Sequence, residues 1–324
     1  MSDRAAGGGD DDDDRAARRE KGRCQPLGPY ATADAPRRAA SATVAAVVGE
    51  LEAMLADAGV PLPRDEARDI VAALLDVPRF WPSLNRDAPL DDDCRRAALV
   101  AARRRAVGTP FAYAVGRAAF RHLTLDVDER VLIPRQESEL LVEAVLEMTG
   151  GGGELAVDVG TGSGAIALAL ATEGHYGRVI GTDVSLDALD VARRNASLLG
   201  SALRAPVEFR SGSLLAPVAG ERAHVVVSNP PYIAFAEAAE LAPGVRDWEP
   251  GLALFSGENG MAATAAIVRD APGVLEPGGL LALEVDARRA SLAAELCLAD
   301  PRYRDVAVRL DLAGRERFVL ARRV

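Results

Sequence analysis

Two short stretches of the 324-residue chain hold residue types whose spacing could do chemistry. The first is Asp158-Val159-Gly160-Thr161-Gly162-Ser163-Gly164-Ala165, which joins an apolar run to a helical one. In a parallel sheet, ligands lie outside the carboxyl ends of the strands, and glycines there allow a tight turn and close contact with a ligand. Asp183 ends the next apolar run, 23 residues after Gly160. A carboxylate at that place suits two ribose hydroxyls as a bidentate acceptor, so the pair points to a nucleoside-containing cofactor. The second stretch is Asn229-Pro230-Pro231-Tyr232, directly after the apolar run His224–Ser228. An amide or amino-aromatic nitrogen has a delocalised lone pair and two N–H groups. Such a weak nucleophile is helped by two fixed oxygen acceptors, and the Asn229 side chain and the Pro230 carbonyl can supply them. Pro230 and Pro231 restrict the backbone and preorganise those acceptors. Tyr232 offers a ring face to a planar group.

The glycine loop alone admits two readings. As Gly160-x-Gly162-x-x-Ala165 it is the dinucleotide fingerprint of dehydrogenases. As Asp158-x-Gly160-x-Gly162-x-Gly164 it is the loop of S-adenosylmethionine methyltransferases. Asp158 favours the second, because the ammonium and sulfonium of S-adenosylmethionine are cationic whereas a pyrophosphate is repelled by a carboxylate. Asn229 to Tyr232 decide between the two. The acceptor nitrogen would attack the sulfonium methyl in line, accelerated chiefly by proximity and orientation, an effect of about 7–11 kcal/mol when geometry is right. No strong base is needed before transfer, since the nitrogen becomes acidic only afterwards. Asn229, Pro230 and Tyr232 are the expected catalytic residues, and no metal is expected.

The elements that must position these residues can be read from periodicity. Val44, Val47, Val48, Leu51 and Leu55 form a helical stripe, ended by Gly59 and Pro61. Ala67, Ile70, Val71, Leu74 and Leu75 form a second. A third helix is predicted from Asp91 to Arg105, acidic at its start and basic at its end as the helix dipole favours. Phe120, Leu123, Leu125 and Val127 lie near alternation and suggest a short strand pair. A helix follows over Ser138–Met148, and Gly150 to Gly153 then break the chain. After that, strands at 155–159, 178–183, 207–212, 224–229, 280–285 and 317–323 alternate with helices at 165–171 and 186–200. Such alternation implies a largely parallel sheet covered on both faces. The expected organisation is a disordered tail over 1–40, a helical domain over 41–110, a β-hairpin connector over 111–137 and a cofactor-binding α/β domain over 138–324.

Composition narrows the partners. Apolar residues make up 49% of the chain, enough for a core, and the formal charge is −10. Residues 1–40 hold eight acids and eight bases, so residues 41–324 carry the whole −10. An acidic body fits poorly with strong, sequence-independent binding of nucleic acid. Of the basic residues only Lys21 is lysine, and aromatics are 4%, which together read as a genomic bias. Cys24, Cys94 and Cys297 are far apart and the histidines are scattered, which argues against a zinc site or a disulfide framework. Reduced thiols and a cytoplasmic setting follow, with no membrane span and a monomer as the default.

The chain resembles the HemK-type release factor glutamine methyltransferases over residues 41–324. The segments that carry the resemblance are RRRAVGTPFAYAVGRAAF (103–120), VLIPRQESELLVE (131–143), AVDVGTGSGAIALALA (156–171), GTDVSLDALDVARRNA (181–196), VVSNPPYI (226–233), VRDWEP (245–250), GENGM (257–261), LEPGGLLALEV (275–285) and DLAGRERFVLAR (311–322). The resemblance implies an α/β, Rossmann-like class I methyltransferase sheet with a small all-helical N-terminal domain and a short β connector. It implies transfer of a methyl group from S-adenosylmethionine to the side-chain amide of the Gln in the GGQ motif of class 1 peptide chain release factors. Carried over by residue, Gly160, Thr161, Gly162, Ser163, Gly164 and Asp183 would hold the cofactor, with Asn229 close to it. Asn229, Pro230, Pro231 and Tyr232 would hold the glutamine. Pro134, Arg135 and Glu249 would line or shape the site, Arg135 on the substrate side. The N-terminal helices resemble the family's substrate-recognition domain. Three places depart from the family pattern: Gly212 and Ser213 replace Asp and a large residue beside the adenine, PRQESE (134–139) replaces PRPDTE, and Asp286 replaces a usual Gly. The first implies an adenine contact that is weaker or made through backbone. A glutamine of a ribosomal protein is an alternative acceptor. An adenine-N6 DNA methyltransferase also uses an NPPY segment, but it must flip a base and grip phosphates, which the acidic body disfavours.

Overall fold

The computed structural model describes residues 42–324; the tail expected over 1–40 lies outside them. Two compact units divide at Val115 and Gly116.

The first unit is helical. Helices α1 (Val44–Asp57), α2 (Pro63–Leu75) and α3 (Asp92–Ala106) carry the apolar stripes read from the sequence. Val44, Val47, Leu51, Leu55, Ile70 and Leu75 are buried together with Ala98 and Ala102 of α3. The small alanines let α3 approach the two aliphatic helices closely. Thr43 and Asp91 cap α1 and α3, each accepting from the backbone N–H three residues on. Such caps satisfy amides that the helix itself leaves unpaired. Arg95 of α3 binds both Glu50 carboxylate oxygens of α1, and Arg105 pairs with Glu66 of α2.

The second unit opens with an antiparallel hairpin, β1 (Arg117–Phe120) and β2 (Leu123–Asp126). Helix α4 (Gln136–Thr149) follows. The chain then alternates through β3 (Gly152–Val159), α5 (Ala165–Glu173), β4 (His175–Asp183), α6 (Leu186–Leu199), β5 (Val207–Ser211) and β6 (Ala223–Ser228). It ends with α7 (Ala262–Asp270), β7 (Leu275–Glu284), α8 (Ala290–Ala299), β8 (Tyr303–Leu310) and β9 (Glu316–Arg323). The sheet order is β5-β4-β3-β6-β7-β9-β8. Only β9 runs against its neighbours. The strand order reverses between β3 and β6, so the crevice at the carboxyl ends of β3, β4 and β6 is the place where this topology binds ligands. One apolar cluster covers each face of the sheet. Burial on both sides explains why β3 and β6 read as continuous aliphatic runs rather than as alternation.

Several elements differ from expectation. Gly150 and Gly151 do end α4 with positive φ, but Gly152 and Gly153 enter β3. Gly153 has φ +143°, and a Cβ there would overlap the His224 ring, so the strand needs a glycine where the composition suggests a break. Strand β8 was not expected. It is an edge strand, mostly half-exposed or exposed, with charged residues and an irregular register near Asp305, whose φ is +54°. Edge strands carry charge and bulges that blunt further pairing, and both erase the period-2 signal. Cys297 is a buried free thiol, and Cys94 is buried in the core of the helical unit. Among the described residues no helix is long and apolar enough to cross a membrane, and no group of three His, Cys, Asp or Glu could hold a metal ion.

Candidate active site

The glycine loop leaves β3 at Val159 and turns into α5. Gly160, Gly162 and Gly164 have φ of +72°, +56° and +83°, values that L side chains rarely adopt. The amides of Gly160 and Thr161 donate to the Thr182 carbonyl at 2.8 and 2.9 Å, which ties the loop to the end of β4. The Gly162 amide donates to Asp183 Oδ2 at 2.9 Å, and the Ser185 amide donates to Asp183 Oδ1 at 2.9 Å. Both Asp183 oxygens are thereby oriented, and each keeps a lone pair for a further donor. The loop is fixed from behind by Asn195 of α6. Its Nδ2 donates to the Ser163 and Asp126 carbonyls, and its Oδ1 accepts from the Asp126 amide. Asn195 is fully buried, and nothing in the linear sequence marks it except its place in GTDVSLDALDVARRNA.

Asp158, the last-but-one residue of β3, is 1% exposed. Its Oδ2 accepts from the Thr161 hydroxyl at 2.6 Å and from the Ala167 amide at 3.0 Å. Its Oδ1 is buried without a hydrogen-bond partner among the described residues. Burial pushes the Asp158 carboxyl up to about 7, against the two donors that lower it. The side chains of Thr161 and Ser163 are buried, and the Thr161 hydroxyl is engaged by Asp158. Contacts from these two residues to a cofactor therefore fall to the backbone.

These features test which cofactor fits. A Cβ at Gly160 or Gly162 would meet nothing within 4 Å, so the loop faces open space. Two carboxylates border it, and no Arg or Lys lies between residues 154 and 177. A pyrophosphate would find negative charge and no cation. An ammonium and a ribose diol would find an orphaned carboxylate oxygen and an oriented bidentate acceptor.

Asn229 to Tyr232 follow β6, beside the loop, because β6 pairs with β3 in register Ser228 to Val159. The Ser228 hydroxyl donates to the Val159 carbonyl at 2.6 Å, which locks the two strand ends together. Pro230 holds Asn229 away from the helical region. The Asn229 Nδ2 donates to the Ser138 hydroxyl at 3.0 Å, and that hydroxyl donates to Glu284 Oε2 at 2.6 Å. No hydrogen bond occupies Asn229 Oδ1 among the described residues. Burial pushes the Tyr232 phenol up to about 12, so the ring stays neutral at physiological pH. The Tyr232 carbonyl lies against Gly260, and Arg289 fixes that contact by donating from Nε to the Asn259 carbonyl at 2.6 Å and from Nη2 to Glu237 at 2.8 Å.

Arg135 does not stand alone at the rim. Its Nη2 lies 2.6 Å from Glu249 Oε1, and Glu249 Oε2 accepts from the Ile133 amide at 3.3 Å. The Glu249 side chain is 1% exposed while that of Arg135 is 31% exposed. The pair joins the LIPR and WEP segments. Beyond β5, Gly212 has φ +152°, and a Cβ there would lie 2.6 Å from Pro217 Cγ. Glycine at this position is therefore matched to Pro217. Ser138, Glu284 and Asn195 were not among the expected site residues. Ser138 and Glu284 stand in the LIPRQESELLVE and LEPGGLLALEV segments, but only the fold shows that they meet.

Residues 135–242 match the Methyltransferase small domain family, and residues 46–116 match the PrmC N-terminal domain family. A release factor glutamine methyltransferase of Moorella thermoacetica is 41% identical over 87% of this chain and 99% of its own length. The chain belongs to the release factor glutamine methyltransferase family. A second member of that family, from Deinococcus radiodurans, is 40% identical over 84% of this chain and 95% of its own. Among solved structures, a methyltransferase from Pyrococcus furiosus aligns with a TM-score of 0.46 at 20% identity, covering 61% of this chain and 87% of that one. As a release factor glutamine methyltransferase family member, the chain has the class I methyltransferase α/β fold, and its chemistry is S-adenosylmethionine-dependent methyl transfer to a glutamine.

Proposed function

We propose that this chain methylates the side-chain amide of the GGQ glutamine in class 1 peptide chain release factors, using S-adenosylmethionine. The observation that carries the reading is the free Oδ1 of Asn229 held beside the glycine loop. S-adenosylmethionine, when bound, supplies a methyl group on a positively charged sulfur. Asp183 would accept from the ribose hydroxyls, and the orphaned Asp158 oxygen and the loop backbone would face the methionine end. Asn229 Oδ1 and the Pro230 carbonyl would each accept one N–H of the glutamine amide. That holds the amide plane and points the nitrogen lone pair along the line of attack. The bond from nitrogen to the methyl carbon forms as the sulfur–carbon bond breaks, and the electron pair of that bond stays on sulfur. The nitrogen then loses a proton to water. Tyr232 stays neutral and packs on the amide face. Arg135, held by Glu249, would shape the approach rather than touch the reacting atoms. Residues 41–110 would recognise the release factor, and a monomer suffices for the chemistry.

The test is to incubate the full chain with labelled S-adenosylmethionine and a class 1 release factor. Label is expected on the factor and not on its GGQ Gln→Ala variant. Label on duplex DNA or on a ribosomal protein instead would sink the proposal. Asn229→Ala is expected to abolish transfer while cofactor affinity stays within a few-fold; full turnover by that variant would overturn the two-acceptor mechanism.

A further inference from the structure

We infer that Glu284 and Ser138 are positioning residues that determine which way the Asn229 carboxamide faces, so that its oxygen rather than its NH2 is offered to the acceptor. This rests on the reading of Asn229 as an acceptor for the glutamine N–H. Three elements bring the chain together. Ser138 lies in the first turn of α4, Asn229 follows β6, and Glu284 ends β7, the neighbour of β6 in the sheet.

The direction follows from donor counting. A serine hydroxyl has one proton to give, and an ionised carboxylate has none. With Glu284 ionised, the Ser138 proton goes to Glu284 Oε2, and the Ser138 oxygen is left only to accept. The only Asn229 group it can accept from is Nδ2, so Oδ1 is directed at the site. With Glu284 protonated, the carboxyl can donate to Ser138 instead. The Ser138 proton is then free to point at Asn229, which rewards the flipped carboxamide and turns NH2 towards the incoming NH2. Two donors facing each other cannot hold the substrate amide.

The setting gives the relay its force. Glu284 is 1% exposed and Ser138 5% exposed, so the bond between them is closed to water. Burial pushes the Glu284 carboxyl up to about 7, while the Ser138 hydroxyl, Arg317 of β9 and Arg135 favour its charged form and Glu137 opposes it. Tyr232 also feels the Glu284 charge, together with those of Arg317, Arg135 and Asp286. The switch between the two hydrogen-bond patterns thus falls within the working pH range.

The chain has only four asparagines, Asn85, Asn195, Asn229 and Asn259. Selective 15N-asparagine labelling therefore gives four side-chain NH2 pairs, and Asn229→Asp identifies the one that matters. In the wild type, the Asn229 NH2 resonances are expected to shift with a midpoint near pH 7. In Glu284→Gln and in Ser138→Ala that titration is expected to vanish. In transfer assays, Glu284→Gln is expected to lower kcat about tenfold, the size of one ordinary hydrogen bond, and to remove the limb of the kcat profile near neutrality. The KM for S-adenosylmethionine should stay within about twofold, because the cofactor loop is untouched. An Asn229 signal that does not titrate in the wild type would overturn the inference. So would one that still titrates in Glu284→Gln, whatever that variant's activity. The NMR readout needs no substrate, so it separates failure of the relay from failure of the release factor reading.

Discussion

A Cβ placed on Gly260 would overlap the carbonyl oxygen of Tyr232 and crowd the Arg289 guanidinium. Gly260 also has φ +88°, and Glu258 and Asn259 before it have φ +51° and +54°. A turn of three left-handed residues thus braces the last residue of the NPPY segment. Backbone strain of this sort costs about 1–3 kcal/mol per residue and persists only where the surroundings enforce it.

Gly260→Ala is therefore expected to be damaging in two ways. It should lower stability by about 1–3 kcal/mol, since neither the φ value nor the space suits alanine. It should also lower kcat more than the KM for S-adenosylmethionine, because the displaced backbone is that of Tyr232. Chemical denaturation and steady-state kinetics check both. Wild-type kcat with lowered stability would show that the brace does not reach the acceptor site.

Gly212 and Pro217 form a matched pair where the resemblance to the family leads to an acidic residue being expected. Restoring that residue alone, as Gly212→Asp, is expected to destabilise the protein by about 1–3 kcal/mol through overpacking. Adding Pro217→Ala should recover much of the loss by removing the ring carbon that the new Cβ meets, although the positive φ remains unfavourable. A double-mutant cycle reads the coupling, expected between about 0.5 and 3 kcal/mol for residues in contact. Strict additivity would mean that Pro217 is not the obstacle.

Much of this architecture is legible in the sequence, and what is not has identifiable causes. The aliphatic runs of β3 and β6 announce themselves because both faces of those strands are buried. Asp91 and the glycine loop are local signals, read within a few residues. Strand β8 is hidden because an exposed, charged, irregular edge has no periodicity to detect. The relay from Asn229 to Glu284 is hidden for a different reason. It joins residues separated by 91 and 146 positions, and no local pattern encodes such a contact. Asn195 resembles any polar residue on a helix until the fold places it under Ser163. The sequence thus offers the groups expected to touch ligand, while the groups that orient them emerge only from the packing.

The Arg135–Glu249 pair yields an asymmetric expectation. Arg135→Ala leaves a buried carboxylate with only the Ile133 amide and is expected to cost about 1–3 kcal/mol. Glu249→Gln in that background removes the uncompensated charge and should recover part of the loss. Glu249→Gln alone frees a half-exposed arginine, which water can solvate, and should cost less. If Arg135→Ala leaves stability unchanged but raises the KM for the release factor, Arg135 contacts substrate directly rather than shaping the rim.

Asp158 is a buried carboxyl at the start of the glycine loop, with one oxygen left without a partner among the described residues. Its folded-state carboxyl titrates near 7, above the ordinary value of 3.8, because burial disfavours the charge. The sign follows from proton counting. Between about pH 4 and pH 7 the unfolded chain has released the proton and the native chain keeps it, so stability falls as pH rises through this window. The penalty is full above 7. Asp158→Asn removes it and is expected to raise Tm at pH 8 by several degrees, at about 2–4 °C per kcal/mol relieved, with little gain at pH 4. Binding should move the other way. A cationic methionine end favours the ionised carboxylate, so S-adenosylmethionine affinity is expected to rise as pH increases from 6 to 8 in the wild type. In Asp158→Asn affinity should be weaker and flat over that range. Calorimetric titrations and thermal melts at three pH values check both halves. A variant that binds S-adenosylmethionine as tightly as the wild type would show that the orphaned Oδ1 plays no part in holding the cofactor.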